Sequence, residues 1–336
     1  MAKHWNGRHA SSSLRFALCA LLSWLGCGGQ AEAPPALDLQ GRIAARLDSL
    51  PAISSIYAKD LKTGREIAIR ADVPMNTASV VKLPVMIRAY RDAEAGRLNL
   101  DTRHVVKPEE QRRGSGLVQT FAPGLNPTLR DLITQMIITS DNPATDILIA
   151  TVGLDRVNSL MDSLGYTATR LRMTTGDLFK AIWVLTDSAN AKMTPREVFE
   201  KGFPGDTGMS ARMFHLSQDS TWWLGSMTAR ETARILEDLE GGKLANAAGT
   251  AEMRANLLQQ FYSSRLPQRL QFKAGIGHKT GDIPPVLGND VGIIYAPNGP
   301  IVIAVFTNEN KGDFFNVEAT IGNIARDIAV EWGGVK

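Results

Sequence analysis

Ser79 and Lys82, in NTASVVKLPVM, stand three residues apart, so on a helix they would share one face. A serine hydroxyl is a weak nucleophile and needs a base beside it. A lysine amine can serve when burial or a second cation lowers its pKa. Lys279, in HKTGD, would be such a cation. A helix starting at Ser79 would also aim that residue's own N–H at a developing oxyanion. Taken alone, Ser-x-x-Lys is also what an exposed helix start looks like. Ser140-Asp141-Asn142 stands where an amphipathic run stops before Pro143, and all three residue types favour such a break as simple caps.

Lys279-Thr280-Gly281 has a twin at Lys62-Thr63-Gly64. The first copy joins two strand-like runs, SSIYAKDL and REIAIRA, so Gly64 is expected to supply a permissive hairpin turn and Lys62 to be solvated. The second copy cannot be a phosphate loop: His278 separates Gly277 from Lys279, and Pro284 and Pro285 forbid the helix that must follow. In this order, S-x-x-K, S-D-N and K-T-G form the signature of class A β-lactamases and penicillin-binding proteins. Over about residues 38–334 the chain resembles that serine-hydrolase superfamily, on its class A β-lactamase side. GSGLVQTFAPGLNPTLRDLITQMIITSDNPATDILI is similar to the family's helical lobe, and HKTGDIPPVLGNDVGIIY to its active-site strand and the next.

The resemblance implies a role for each position. Ser79 is the acylated nucleophile, Lys82 its general base, and Ser140 the relay that protonates the leaving nitrogen. Asn142 bonds the substrate's amide side chain. Lys279 and Thr280 bind the substrate carboxylate, and Gly281 lets the substrate lie close to the strand. The backbone N–H groups of Ser79 and Asp282 form the oxyanion hole, each donor worth about 2.7–4 kcal/mol. The pattern breaks at deacylation. Class A enzymes hold the hydrolytic water with a Glu in Glu-x-x-Leu-Asn. The matching stretch, TRLRMTTGDLF, puts Thr175 at the Glu position and Phe179 at the Asn position. A missing general base costs about 10²–10⁴ in rate. Acylation is therefore expected to be ready and deacylation slow, unless Asp177, Glu197, Glu200 or Asp206 folds back. Asn289 and Asp290 stand where many relatives place a carboxylate-binding Arg, which puts substrate affinity in question. Three functions share these motifs: a β-lactam hydrolase, a D-Ala-D-Ala peptidase or transpeptidase acting on cell-wall peptides, and a binder that acylates once and stops.

Elements must bring these residues together. Leu39, Ile43 and Leu47 predict a helix at about 38–50. Leu129, Leu132, Ile133, Met136 and Ile137 give TLRDLITQMIITS an apolar face, with Thr128 and Asp131 as its capping pair. NPATDILIATV, LDRVNSLMDSLG, DLFKAIWVL, TPREVFEKG and TARETARILEDLEGG read as further helices. DVGIIYA and IVIAVFTN flank a hairpin signal at Asn298-Gly299, and Val317, Ile321, Ile324 and Ile328 mark a closing helix. The fold class is α/β of the α+β type. An antiparallel sheet, flanked by helices and built from both chain ends (about 38–78 and 227–336), carries an inserted helical lobe (about 79–226). The active site lies between the two. Residues 176–226 include an insertion of about forty residues beyond the common family pattern. Its Trp222-Trp223 is either a lid over the site or core packing. His278 is expected to be structural, since no G-x-S-x-G elbow accompanies it. The histidines lack metal-ligand spacing, so neither metal nor cofactor is expected.

The chain begins with a basic segment and an apolar run, FALCALLSWLG, too short to span a bilayer but long enough for a signal-peptide core. Residues 1–27 end in Gly26-Cys27 and resemble a lipoprotein signal, with ordinary cleavage around Ala31–Ala33 as the alternative. Residues 28–37 read as a tether. The expected product is a monomer, exported to the periplasm, touching membrane only through a lipid on Cys27. Of the 37 Lys+Arg, three lie in 1–27, which holds none of the 34 Asp+Glu. The remainder is formally neutral, with no nucleic-acid footprint. Both cysteines, Cys19 and Cys27, fall in the leader region, so the domain carries no disulfide.

Overall fold

The computed structural model describes residues 37–122 and 124–336. The leader, its two cysteines and the tether up to residue 36 lie outside the described residues. The described chain opens with α1 (Leu39–Asp48), β1 (Ile53–Asp60), β2 (Glu66–Ile69) and a short β3 (Met75–Asn76). The helical lobe follows: α2 (Lys82–Glu94), α3 (Leu129–Ile138), α4 (Asn142–Val152) and α5 (Leu154–Ser163). Next come β4 (Arg170–Leu171), α6 (Thr175–Val184), α7 (Pro195–Lys201), α8 (Met209–Gln218) and β5 (Gly225–Met227). The chain closes with α9 (Ala229–Glu240), α10 (Ala247–Leu258), β6 (Gly275–Ile283), β7 (Leu287–Ala296), β8 (Gly299–Asn308) and α11 (Phe314–Glu331).

The main sheet is antiparallel in the order β2-β1-β8-β7-β6. Its closing step pairs β1 with β8, Ile53 opposite Asn308 through Asp60 opposite Ile301. The first and last strands in sequence are thus sewn together at the centre. Period-two alternation explains why both faces are covered. Along β8, Ile301, Ile303 and Val305 pack with α1 and α11 on one face. Val302, Ala304 and Phe306 face the larger core shared with the helical lobe. Such strands read as nearly continuous apolar runs, as IVIAVF does.

The expected turns and caps are present. Thr128 caps α3, and its N–H donates to the Asp131 carboxylate at 2.9 Å. Gly64 closes the first hairpin with φ +77°, while Asp60 Oδ1 accepts from Lys62 N and Thr63 N. In the last hairpin the two-residue loop is Pro297-Asn298, one residue earlier than the Asn-Gly signal suggests, because Ala296 pairs with Gly299. Helix α10 has no counterpart among the sequence expectations. Nor does the small sheet β3-β5-β4, whose two- and three-residue strands leave no periodic trace. This small sheet matters for the site. It clamps the stem of the insertion, Arg170 opposite Ser226 and Leu171 opposite Gly225. Through Met75 opposite Met227 it also ties that stem to the strand leading into Ser79.

Candidate active site

Ser79 lies in a tight 3-10 turn, Ala78–Val81, that runs directly into α2 at Lys82. Ala78 has φ +40°, a conformation that costs a non-glycine residue about 1–3 kcal/mol and persists only where the surroundings impose it. Three buried asparagines do so. Asn76 Oδ1 accepts from the Ala78 N–H at 3.1 Å. Asn289 Nδ2 donates to the carbonyls of Asn76 (2.9 Å) and Thr77 (3.1 Å). Asn308 bonds the Asn76 backbone both ways, at 2.7 and 3.2 Å. Asn289 therefore braces the nucleophile's turn from β7. Gly281 belongs to the same joint. A Cβ there would fall 2.3 Å from Thr77 O and 2.9 Å from Val80 N, so only glycine lets β6 seat against that turn.

Four motif side chains converge beside the turn that carries Ser79: Lys82, Ser140, Asn142 and Lys279. Lys82 Nζ lies 2.6 Å from Ser140 O, 3.2 Å from Ser140 Oγ and 2.9 Å from Asn142 Oδ1. Lys279 Nζ lies 3.0 Å from the same Ser140 Oγ and 2.7 Å from Thr280 O. Ser140, held at φ +55°, is thus the one hydroxyl between two amines. Both lysines are 0% exposed. Burial brings Lys82 down to about 7, against an opposing pull from Asp141, Asp146 and Asp282. Burial, then the neighbouring Lys82 charge, hold Lys279 well below its usual range. Two ammonium groups cannot share one hydroxyl cheaply in a dry site. Near neutral pH the cluster therefore carries an amine able to accept a proton. Ser79 is not among the three partners of Lys82; catalytic hydrogen bonds commonly tighten only when substrate is bound.

Ser79 opens onto a pocket of about 370 Å³ lined also by Ser115, Asn142, Thr175 and Asp282. Asn142 is partly committed: its Nδ2 donates to Arg113 O at 2.9 Å. Asp141 caps α4 and accepts from Val118 N, anchoring the loop above; burial raises its carboxyl. Among the described residues, Asp282 is the sole acidic side chain lining the pocket. It pairs at 2.6 Å with Arg265, which is 2% exposed and also lies 3.5 Å from Glu318.

None of the four acids that could replace the missing base reaches the site. Asp177 caps α6 through Thr174, and Glu197 caps α7 through Thr194. Glu200 pairs with Arg196 and Asp206 with Arg212. All four are exposed. Thr175 does line the pocket, and its N–H and hydroxyl both donate to Asp146 Oδ1, at 2.8 and 2.9 Å. Asp146 also accepts from Gly176 N (2.9 Å) and Arg112 Nε (2.7 Å). Both oxygens of Asp146 are thus occupied, by four donors in all. Asp146 is instead the tether of α6. Its signal was its place one turn after Asn142 on α4; Arg112 and Arg265 carry no motif.

His278 is buried against Asp290, Nδ1 to Oδ1 at 2.8 Å. Asp290 also accepts Leu266 N at 3.0 Å, a brace between β7 and the turn before β6. Trp222 packs with Ile182 and Leu216 in the insertion's own small core, and Trp223 Nε1 donates to Ser217 O. Neither tryptophan lines the pocket.

Comparison with known proteins bears on the family and the fold. A β-lactamase of Streptomyces lavendulae is 27% identical over 266 residues, covering 77% of this chain and 74% of that protein. The crystal structure of a β-lactamase from Sphaerobacter thermophilus, also 27% identical, superposes with a TM-score of 0.70 over 88% of this chain and 97% of that one. PBP-A, at 19% identity, has a TM-score of 0.69 over 88% and 96%, a likeness of fold alone. The model of the beta-lactamase enzyme family matches residues 38–332, from the cap of the first helix to the cap of the last; the chain belongs to that family.

Proposed function

We propose that the protein opens the β-lactam amide by acylating Ser79 and releases the product slowly. The observation that carries this is the pairing of a wholly buried, proton-accepting Lys82 with a pocket whose sole acidic lining residue, among the described residues, is already paired to Arg265. In the step proposed, Ser79 Oγ bonds to the lactam carbonyl carbon as its proton passes to Lys82. The carbon–nitrogen bond then breaks, and the nitrogen takes a proton through Ser140. Lys279, hydrogen-bonded to Ser140, supports that relay and lends positive field to the substrate's carboxylate end. The Ser79 and Asp282 N–H groups stabilise the oxyanion. Hydrolysis of the ester then needs a water and a base. Thr175 supplies no carboxylate, and Asp146 is saturated.

A non-turnover binder or a peptidase on cell-wall peptides would use the same first step. A mutant of the fold neighbour PBP-A has been solved as an acyl-enzyme complex with penicillin G. Intact-mass measurement after minutes with benzylpenicillin separates the outcomes. The expected result is an adduct of the whole drug mass on Ser79 that outlasts many turnover times of a fast enzyme. Unmodified protein with fully hydrolysed drug would overturn slow release. An adduct surviving in Ser79→Ala would overturn the site itself.

A further inference from the structure

The pocket lined by Ser79, Ser115, Asn142 and Asp282 also takes in apolar side chains of the insertion, among them Phe179, Ile182, Phe203, Met209, Met213 and Leu224, and one polar one, Ser210. Phe179 and Phe203 meet edge-to-face, ring centroids 5.3 Å apart at 84°, forming an aromatic corner. Phe179, Met209 and Met213 are only half-buried, and Phe203 is 42% exposed. Side chains recruited purely for packing would be closed over; these face an open chamber. Its size and its mix of apolar wall with a few polar groups are those of a small-molecule site. Methionines in the wall let it adapt to different apolar shapes.

We infer that the insertion is a specificity element: it builds a chamber for a bulky apolar side group, aryl or medium-chain alkyl, on the acyl half of the substrate. This rests on the proposal that Ser79 is acylated, and adds to it the chemical class accepted. Two observations fix the occupant. The chamber is continuous with the nucleophile, so a group attached beside the scissile carbonyl enters it. Among the described residues the insertion contributes no charged side chain to the lining, so a charged side group would be desolvated against it without a partner. The insertion is held in register by its paired stem and by Asp146, which fixes the start of α6 against α4.

The test is a series on one penicillin nucleus: no acyl group, acetyl, phenylacetyl, octanoyl and carboxylated phenylacetyl. Acylation efficiency is expected to rise roughly tenfold or more from no acyl group to phenylacetyl, about fourfold per added methylene until the chamber fills. The carboxylated compound should fall back to the level of the bare nucleus. In Phe203→Ala and Met213→Ala the ratio of phenylacetyl to bare nucleus should shrink several-fold. Because the ratio is taken within one variant, it does not depend on how much of that variant folds. Calorimetric binding of the same series to Ser79→Ala reads the chamber without the chemistry. Acylation of every compound at one rate, with flat binding, overturns the inference and leaves the acylation proposal standing. A binding gradient without acylation of the native protein upholds the chamber and overturns the acylation proposal.

Discussion

Replacing Lys82 with methionine tests the core of the site, because it keeps the volume and removes the charge. The amine is 0% exposed and held at about 7, against 10.5 in an unfolded chain. Below pH 7 both states are protonated, and the folded state bears the full cost of the buried charge. That gap corresponds to about 5 kcal/mol at about 1.4 kcal/mol per decade. Between pH 7 and 10.5 the unfolded chain binds the proton and the folded one does not, so stability rises with pH across this window. Above 10.5 both are neutral and the effect is gone. Methionine removes the part of the dependence due to Lys82, that of Lys279 remaining, but leaves Asn142 Oδ1 without its donor, a loss of about 1–3 kcal/mol. Ser140 O keeps its bond from Ser115 Oγ at 2.7 Å. Lys82→Met should therefore be more stable than the native protein by about 2–4 kcal/mol at pH 7, and that advantage should be gone by about pH 10. Urea unfolding at each pH unit from about 7 to 10 measures it. Acylation by the native protein should rise through an apparent pKa near 7, and the variant should not acylate. Parallel stability curves for the two proteins would mean that Lys82 keeps an ordinary pKa, and the base assignment would fail.

Two further outcomes are expected. Thr175→Glu alone should fold poorly, since it sets a second carboxylate beside Asp146 and removes the Thr175 hydroxyl bond. Combined with Asp146→Asn, it should speed loss of the Ser79 adduct by about 10²–10⁴, and an adduct lifetime unchanged in the double variant would show that a missing base is not what limits release. In a bacterial host, Cys27→Ser should abolish incorporation of labelled palmitate and leave the protein exported; unchanged labelling would rule out Cys27 as the lipidated residue.

The fold was legible where periodicity is strong. Helix α3 announces its apolar face and its Thr128–Asp131 cap within a single short run, and the β7–β8 pair shows two apolar runs around a turn. The small sheet β3-β5-β4 was illegible because a two-residue strand such as Met75–Asn76 is defined by its partners rather than by its own pattern. The site divides in the same way. Ser79, Lys82, Ser140–Asn142 and Lys279–Gly281 are found by motif because the chemistry demands those residue types. The asparagines that hold Ala78 at positive φ are not, since Asn76, Asn289 and Asn308 are brought together only by the fold and act through the backbone.

The insertion shows what this difference means for function. Motifs specify how a carbonyl is attacked, and that part of the site is polar, buried and short-range. Which molecule presents the carbonyl is decided by Phe179, Phe203 and Met213, whose types are those of any apolar core. Their sequence signal is indistinguishable from packing, and only the open space between them separates the two. The same argument applies to Thr175. Its hydroxyl is spent on Asp146, so the residue that the pattern would make catalytic here anchors α6, the helix that carries the chamber wall. At this position the chain has a tether for its specificity element where a deacylating carboxylate would stand. Slow release and a selective apolar chamber are therefore two consequences of one local arrangement, and the Thr175→Glu/Asp146→Asn protein should gain turnover while losing some of its discrimination between phenylacetyl and bare penicillin nuclei.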